Sequence, residues 1–443
     1  MTWKGLDLRD VNEMNFPPDQ VEQYRLQPGD ILLAEASGSA SEVGKPALWN
    51  GEIDDCCFQN TLIRIRPKTA LSKYLLLHFT GDASLGRFSH AARGVGIHHL
   101  GAAAMTAWPV ALAPLPEQRR IVDEIEKQFA RLDAAVAGLK RVQASLKRYR
   151  ASVLKAACEG RLVSTEAELA RREGRALGTA DQLTEQTRGA KESLLKGTND
   201  GLVPEGWRFS PLEPLLSEPL VNGRSVPDRE GGFPVLRLTC LGAGRVDLSA
   251  FKEGAWTRAE ATPYLVRDGD FLIARGNGSL RLVGRGGLVD GSDGSVAFPD
   301  TLIRVRPDLE SVDPRFLCQI WAAPFVRRQI EASARTTAGI YKVNQDHLRG
   351  ILLPLPPLAE QHRLVAEVDR RLSVIDELES TIDTNLARCA RLRQSILKRA
   401  FEGKLVPQDP NDEPASALLA RLRKERDEEP GRPAKRKPRR AGD

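Results

Sequence analysis

The chain has 443 residues, of which 41% are hydrophobic and 28% charged, a globular composition with length for two or three domains, each with its own core. No apolar run approaches a membrane span, and the N-terminus, MTWKGLDLRD, lacks the charged-then-apolar pattern of a secretion signal, so the expected location is cytoplasmic. The net charge is +6, but the segment from Pro430, PGRPAKRKPRRAGD, holds six Lys or Arg against one Asp, and the rest is close to neutral. A globally basic domain is thereby excluded, and any DNA-binding face must come from local clustering. The basic tail itself reads as disordered, an electrostatic arm or a solubilising segment.

In chain order, Asp30–Ala34 is a short apolar strand, and a Ser- and Gly-rich loop leads to a second strand near Ala47–Trp49. Leu62–Arg66 alternates as a third strand, and Lys73–Thr80 is helical. From Pro114 a long helix runs toward Val163, with a seam through Ile121, Ile125, Phe129, Leu132, Val136, Leu139, Leu146 and Val153. The polar stretch 164–201 reads as a partly helical linker. Strands follow at Asp270–Ala274, near Gly287–Val289 and at Leu302–Arg306, then a helix over Pro314–Ala332 that starts at a favourable proline. A second long helix begins after Pro356, with a cleaner seam through Leu364, Val368, Leu372, Ile375, Leu378, Ile382, Leu386, Cys389, Leu392 and Ile396.

These elements repeat. FQNTLIRIRP (Phe58–Pro67) matches FPDTLIRVRP (Phe298–Pro307) at an offset of 240, as do Pro28–Gly51 and Asp268–Gly291. Farther on the offset is 243, pairing Glu117-Gln118 with Glu360-Gln361, and SVLKAACEGRLV with SILKRAFEGKLV. The period is far too long for a solenoid and marks a tandem duplication of a mixed α and β module followed by a long helix. The expected fold class is α+β, two tandem mixed α/β domains separated by two long helices packed as an antiparallel coiled coil, because a dyad perpendicular to two homologous helices makes them antiparallel. Each helix of roughly forty residues would be about 60 Å long, enough to hold two readers over separate groove segments of one duplex. Projected back by 240, the counterpart of residues 203–240 falls before Met1, so the first module is expected to lack its opening stretch.

Catalytic constellations are scarce. Gly276-Asn277-Gly278 begins like a dinucleotide turn, but Arg281 stands where the third glycine belongs. Gly44-Lys45 fails as a phosphate loop, because Gly38 is one residue too far away and Pro46 replaces the hydroxyl residue. The six cysteines (56, 57, 158, 240, 318 and 389) form no C-x-x-C pair and read as free packing residues. His98 and His99, adjacent on a strand, point to opposite faces and make no metal pair. Recognition chemistry is richer. Arg275, Asn277, Ser279 and Arg281 offer guanidinium and amide groups suited to guanine and adenine edges. Their counterparts in the same frame, Ser37, Ser39 and Ser41, are chemically different, as two readers of different half-sequences would be. A second segment brings Arg335, Thr336, Tyr341, Lys342 and Asn344, matched by Arg93, His98 and His99. The arginine pairs Arg64/Arg66 and Arg304/Arg306 each share one strand face, which is either a contact face or merely solvated.

PLPPLAEQHRLV (Pro354–Val365), SILKRAFEGKLVPQDPNDEPASALL (Ser395–Leu419), VPEGW (Val203–Trp207), GDFLIARGNGS and TLIRVRP together resemble the specificity subunit of type I restriction-modification systems. The resemblance covers nearly the whole chain apart from the basic tail. It implies a first target-recognition domain over 1–113, a central helix over 114–163, a linker over 164–202, a second target-recognition domain over 203–353, a distal helix over 354–406 and a C-terminal segment over 407–443. It also implies double-stranded DNA as ligand, each domain reading half of a bipartite site. Its implied partners are modification subunits, which carry the S-adenosylmethionine chemistry, and restriction subunits, which use ATP and Mg. This chain would bind no cofactor or metal and would not be catalytic alone. The alternative from the residues is a coiled-coil interaction scaffold that no longer reads DNA.

Overall fold

The computed structural model describes residues 1–3, 5–15, 17–94, 96–175, 204–242, 244–337 and 339–428. The basic tail and most of the linker therefore lie outside the described residues. The chain forms two compact units, one of Met1–Arg141 with Ile382–Asp443 and the other of Val142–Thr381.

In the first unit, β1 (Ile31–Ala34) lies between β3 (Pro46–Leu48) and β4 (Leu62–Ile65), antiparallel to both, while β2 (Ala36–Ser37) pairs with β5 (His98–His99). Strand alternation divides β1 between two cores. Ile31 and Leu33 pack with Tyr74, Phe79, Phe88, Ile121, Ile125 and Leu397, whereas Leu32 joins Leu26 and Trp49 on the other face. Tyr74 and Phe79 come from a helix at Ser72–Ser84, longer than the expected Lys73–Thr80.

The second unit repeats that plan and extends it. Its strands are β6 (Arg208–Pro211), β7 (Leu216–Asn222), β8 (Asp228–Leu236), β9 (Phe251–Gly254), β10 (Phe271–Ala274), β11 (Gly276–Asn277), β12 (Gly286–Leu288), β13 (Leu302–Pro307), β14 (Arg335–Thr337), β15 (Ile340–Lys342) and β16 (Leu352–Leu355). The main sheet has the order β12-β10-β13-β7; β8 pairs with β9, and β16 with β6. Phe271 and Ile273 face one core, while Leu272 and Ala274 face another that includes Leu236 and Phe298.

Three expectations need correction. Pro314–Ala332 is two helices, Pro314–Trp321 and Pro324–Ser333, because Ala323 is extended (φ −71°, ψ 148°) ahead of a proline that starts the second. The strand arginines are not merely solvated: they bond within their own units, although Arg66 stays partly exposed. Arg306 donates through Nε and an η nitrogen to Asp270 at 2.7 and 2.8 Å, Arg66 does the same to Asp30 at 2.7 Å, and Arg304 is buried against Glu218 at 2.8 Å. Each aspartate also accepts a backbone N–H of the preceding turn, from Gln27 or Arg267, so the pair locks turn to strand. Finally, Leu378 and Leu392 are exposed, so the distal seam is buried only in part, through Leu364, Val368, Ile375 and Ile382.

The two long helices are Leu115–Cys158 and Leu358–Phe401, each of 44 residues. Within the first unit Asp133 pairs with Arg393 and Arg120 with Asp412, an antiparallel order. Within the second, Arg150 lies between Asp376 and Glu379. All six cysteines are free thiols, and burial pushes Cys158 and Cys240 up to about 12, which keeps them as packing groups. Among the described residues no helix is long and apolar enough to cross a membrane.

Candidate nucleic-acid interface

The polar segments singled out in the second module meet in one small sheet. β15 is its middle strand, with Asn277 of β11 opposite Tyr341 on one side and Thr336 of β14 opposite Tyr341 on the other. Arg335 faces Lys342, which also faces Gly276, and the Val343 N–H donates to the Arg275 carbonyl at 2.9 Å. Residues some sixty apart in sequence thus share one sheet edge. Arg281, Arg335, Thr336 and Lys342 are exposed, while Arg275, Asn277, Ser279 and Tyr341 are half-buried.

Not every polar atom there is available. The Asn277 Oδ1 accepts the Ser279 N–H at 3.0 Å and holds the turn. Asn344 caps the helix Gln345–Arg349, its Oδ1 accepting from the His347 N–H at 2.8 Å. Arg275 lies 3.4 Å from the Asp300 carbonyl. Arg281 keeps its guanidinium in solvent, and its loop is anchored from behind. Arg327 donates to the Val283 carbonyl at 3.0 Å, and the Trp321 indole to that of Gly284 at 2.9 Å. Gly284 has a positive φ of 65°, and a Cβ there would meet Ile330 at 2.3 Å, so only glycine lets this loop close on the helix Pro324–Ser333.

The first unit builds the same frame with other chemistry. Ser37 of β2 lies opposite His98 of β5, and Arg93 bridges to His99 through two backbone bonds of 3.0 and 2.8 Å. The Ser37 hydroxyl accepts the Ser39 N–H at 3.2 Å, as Asn277 does for Ser279, and Ser39 shares a 2.9 Å bond with Ser41. Gly44 matches Gly284: its φ is 74° and a Cβ would meet Phe88 at 2.3 Å. His98 is half-buried and His99 exposed, and no group able to hold a metal ion occurs among the described residues. Where the second unit presents Arg275, Arg281, Arg335 and Lys342, the first presents Arg93, and Glu35 and Glu42 flank its serine loop.

No family model matches the sequence. The specificity subunit of the type I restriction enzyme EcoKI from Escherichia coli K12 is 28% identical over 444 residues, covering 97% of this chain and 88% of that protein. The StySPI specificity subunit from Salmonella potsdam is also 28% identical, with the same two coverages. The chain is homologous to type I restriction specificity subunits. A chain from the solved structure on complex assembly and conformational transition of the type I R-M system shares its fold, with a TM-score of 0.61 at 20% identity over 86% of this chain and 83% of that one.

Against this type I frame, reading the sequence by residue chemistry missed the groups that position the loops. Arg327 and Trp321 lay inside a stretch read only as a helix. The repeated Glu-Gln motif carried the resemblance, but its role appears only in the structure. Gln118 and Gln361, both fully buried, each accept the backbone N–H that opens a module helix (Leu71 at 2.9 Å, Asp313 at 2.8 Å). Each also donates to a carbonyl just ahead of its own long helix (Ala113 at 2.8 Å, Pro356 at 3.0 Å). The motif fastens module to helix twice.

Proposed function

We propose that this chain is the DNA-specificity subunit of a type I restriction-modification complex, each unit reading one half of a bipartite site in double-stranded DNA. The observation that carries this reading is homology to type I specificity subunits over 97% of the chain, spanning both copies of the repeat. Base reading is assigned to the small sheets: Arg275, Asn277, Ser279, Arg281, Arg335, Thr336, Tyr341, Lys342 and Asn344 in the second unit, and Ser37, Ser39, Ser41, Arg93, His98 and His99 in the first. Arginine and asparagine in one patch are the groups that bind guanine and adenine edges bidentately. Their equivalents in the first unit are hydroxyls and imidazoles, so the two half-sites differ in sequence.

The long helices set the unspecified spacer and receive the modification subunits, and restriction subunits complete the assembly in the cytoplasm. The chain performs no chemistry itself; adenine methylation and ATP-dependent cleavage belong to the complex. The test is co-expression with a modification subunit and mapping of adenine methylation across a genome. A single bipartite motif is the expected result. Absence of any motif, together with equal retardation of specific and random duplexes, would leave the chain a protein-binding scaffold.

A further inference from the structure

The small sheets of the two units carry different polar groups, yet both place an isoleucine in the same exposed position. At the offset of 243, Gly96-Ile97 stands against Gly339-Ile340, and His98 and His99 against Tyr341 and Lys342. Gly96 and Gly339 both have left-handed backbones (φ 81° and 77°), and a Cβ added to either would meet nothing within 4 Å. Ile97 is 57% exposed and Ile340 43%, whereas Ile303, Ile330 and Ile351 are at most 2% exposed. A single exposed isoleucine needs no explanation. The same one at the same open turn in both copies does.

In the second unit, alternation along β15 puts Ile340 and Lys342 on one face of the sheet and Tyr341 on the other. Arg335 of β14 lies opposite Lys342 and shares its face, and Arg335, Ile340 and Lys342 are all exposed. Gly276 of β11, also opposite Lys342, adds no side chain: a Cβ there would lie 3.4 Å from Lys342 Cγ and 3.6 Å from Ile340 Cγ2. The face is therefore two cations beside an uncovered isoleucine. In the first unit Ile97 directly precedes β5, two residues before the exposed His99. Opposite His99 is the small Ala36, the repeat equivalent of Gly276. Gly94 lets this turn close, since a Cβ there would stand 2.1 Å from the Ile97 carbonyl oxygen.

We propose, resting on the DNA-reading function above, that Ile97 and Ile340 each read the 5-methyl group of a thymine. The two half-sites then share a thymine at equivalent places while other bases differ. The exposed cations draw the phosphate backbone to this face. Within the major groove, the edges of guanine, cytosine and adenine offer donors and acceptors, and the thymine methyl is the apolar mark. A branched aliphatic side chain gains little against the first three and removes apolar surface from water against the fourth. The adenine methylation assigned to the complex puts A·T pairs, and so thymine methyls, in the site. The polar groups that differ between the units answer to bases that differ, and the isoleucine they share answers to a base in common.

The test uses the full chain in complex with a modification subunit, and duplexes bearing the motif that complex methylates. Each thymine of the motif is replaced in turn by deoxyuridine, which removes the 5-methyl group alone and leaves the protein untouched, so misfolding cannot imitate its effect. One position in each half-site should lose about three- to fivefold in affinity, the worth of one buried methyl. Ile340→Ala should weaken binding to the parent duplex by a similar factor and abolish the deoxyuridine effect in one half-site only. Ile97→Ala should do the same in the other. No deoxyuridine effect at any position, or one that persists in the alanine variants, would overturn the proposal while leaving the DNA-reading function intact. So would an Ile340→Ala variant that weakens random duplexes as much as the motif, the behaviour of a wedge between base steps. Absence of any methylated motif would remove the DNA-reading function and this contact with it.

Discussion

Glu360 accepts the Trp207 indole N–H and the Glu166 backbone N–H, each at 2.8 Å, from a position with no solvent exposure. One carboxylate thereby joins three separate stretches of the second unit: the segment after the central helix, the VPEGW turn and the first turn of the distal helix. Burial raises its pKa above the ordinary carboxylate value of 4.5, and the two hydrogen bonds oppose that rise without cancelling it.

The sign of the resulting pH dependence follows. With the folded pKa above the unfolded one, the folded chain holds more protons between the two values, so this group's contribution to stability falls as pH rises through that window. The contribution is largest below 4.5 and fully lost above the raised folded value. Glu360→Gln removes the titration. The melting temperature of the parent minus that of this variant should therefore decrease between pH 4.5 and pH 7. An increase would contradict a raised pKa.

Removing the side-chain amide at Gln361 strands the Asp313 N–H and the Pro356 carbonyl in a buried place, and at Gln118 it strands the Leu71 N–H and the Ala113 carbonyl. Gln361→Ala and Gln118→Ala should each cost about 2–4 kcal/mol, since one unsatisfied buried group costs ~1–3. Denaturant unfolding monitored by tryptophan fluorescence measures both. Equal costs at the two positions would reflect the shared geometry of the repeat.

The turn-locking ion pairs separate in magnitude. Asp270 is 1% exposed and its partner Arg306 only 11%, whereas Arg66 beside Asp30 is 36% exposed. Asp270→Ala leaves a buried cation whose remaining partner is Glu218 at its other η nitrogen, and about 3–5 kcal/mol is expected for breaking such a pair. Asp30→Ala should cost less, because water reaches Arg66. Urea midpoints of the two variants give the comparison.

Much of this arrangement was legible in the chain because it is written twice. Two copies of GD followed by four apolar residues fixed β1 and β10, and the proline-opened, alanine- and charge-rich stretches could only be long helices. What the sequence concealed is what depends on distant partners. Asn277 and Tyr341 share a sheet only once the strands have folded, and nothing local to Arg306 reveals Asp270 across 36 residues. Leu378 and Leu392 fit the heptad yet are exposed, since periodicity marks a helical face but not whether that face is covered. Pro324 marks the break locally, because a proline starts a helix more readily than it continues one.

The charge difference between the small sheets gives the sharpest test of base reading. Arg281, Arg335 and Lys342 are exposed around the second sheet, and Arg281 has no side-chain bond within the chain among the described residues. In the complex with a modification subunit, Arg281→Ala should relax base preference at positions of one half-site only, costing ~1–3 kcal/mol of discrimination. Arg275→Ala should act on the same half-site, since its backbone is bonded into the same sheet. A phosphate contact would behave otherwise: Lys342→Ala would weaken all duplexes alike and lower the salt-dependence slope by about one. Methylation-motif mapping and binding at several salt concentrations separate the two classes. Loss of preference in both half-sites from Arg281→Ala would refute the assignment of one unit to one half-site.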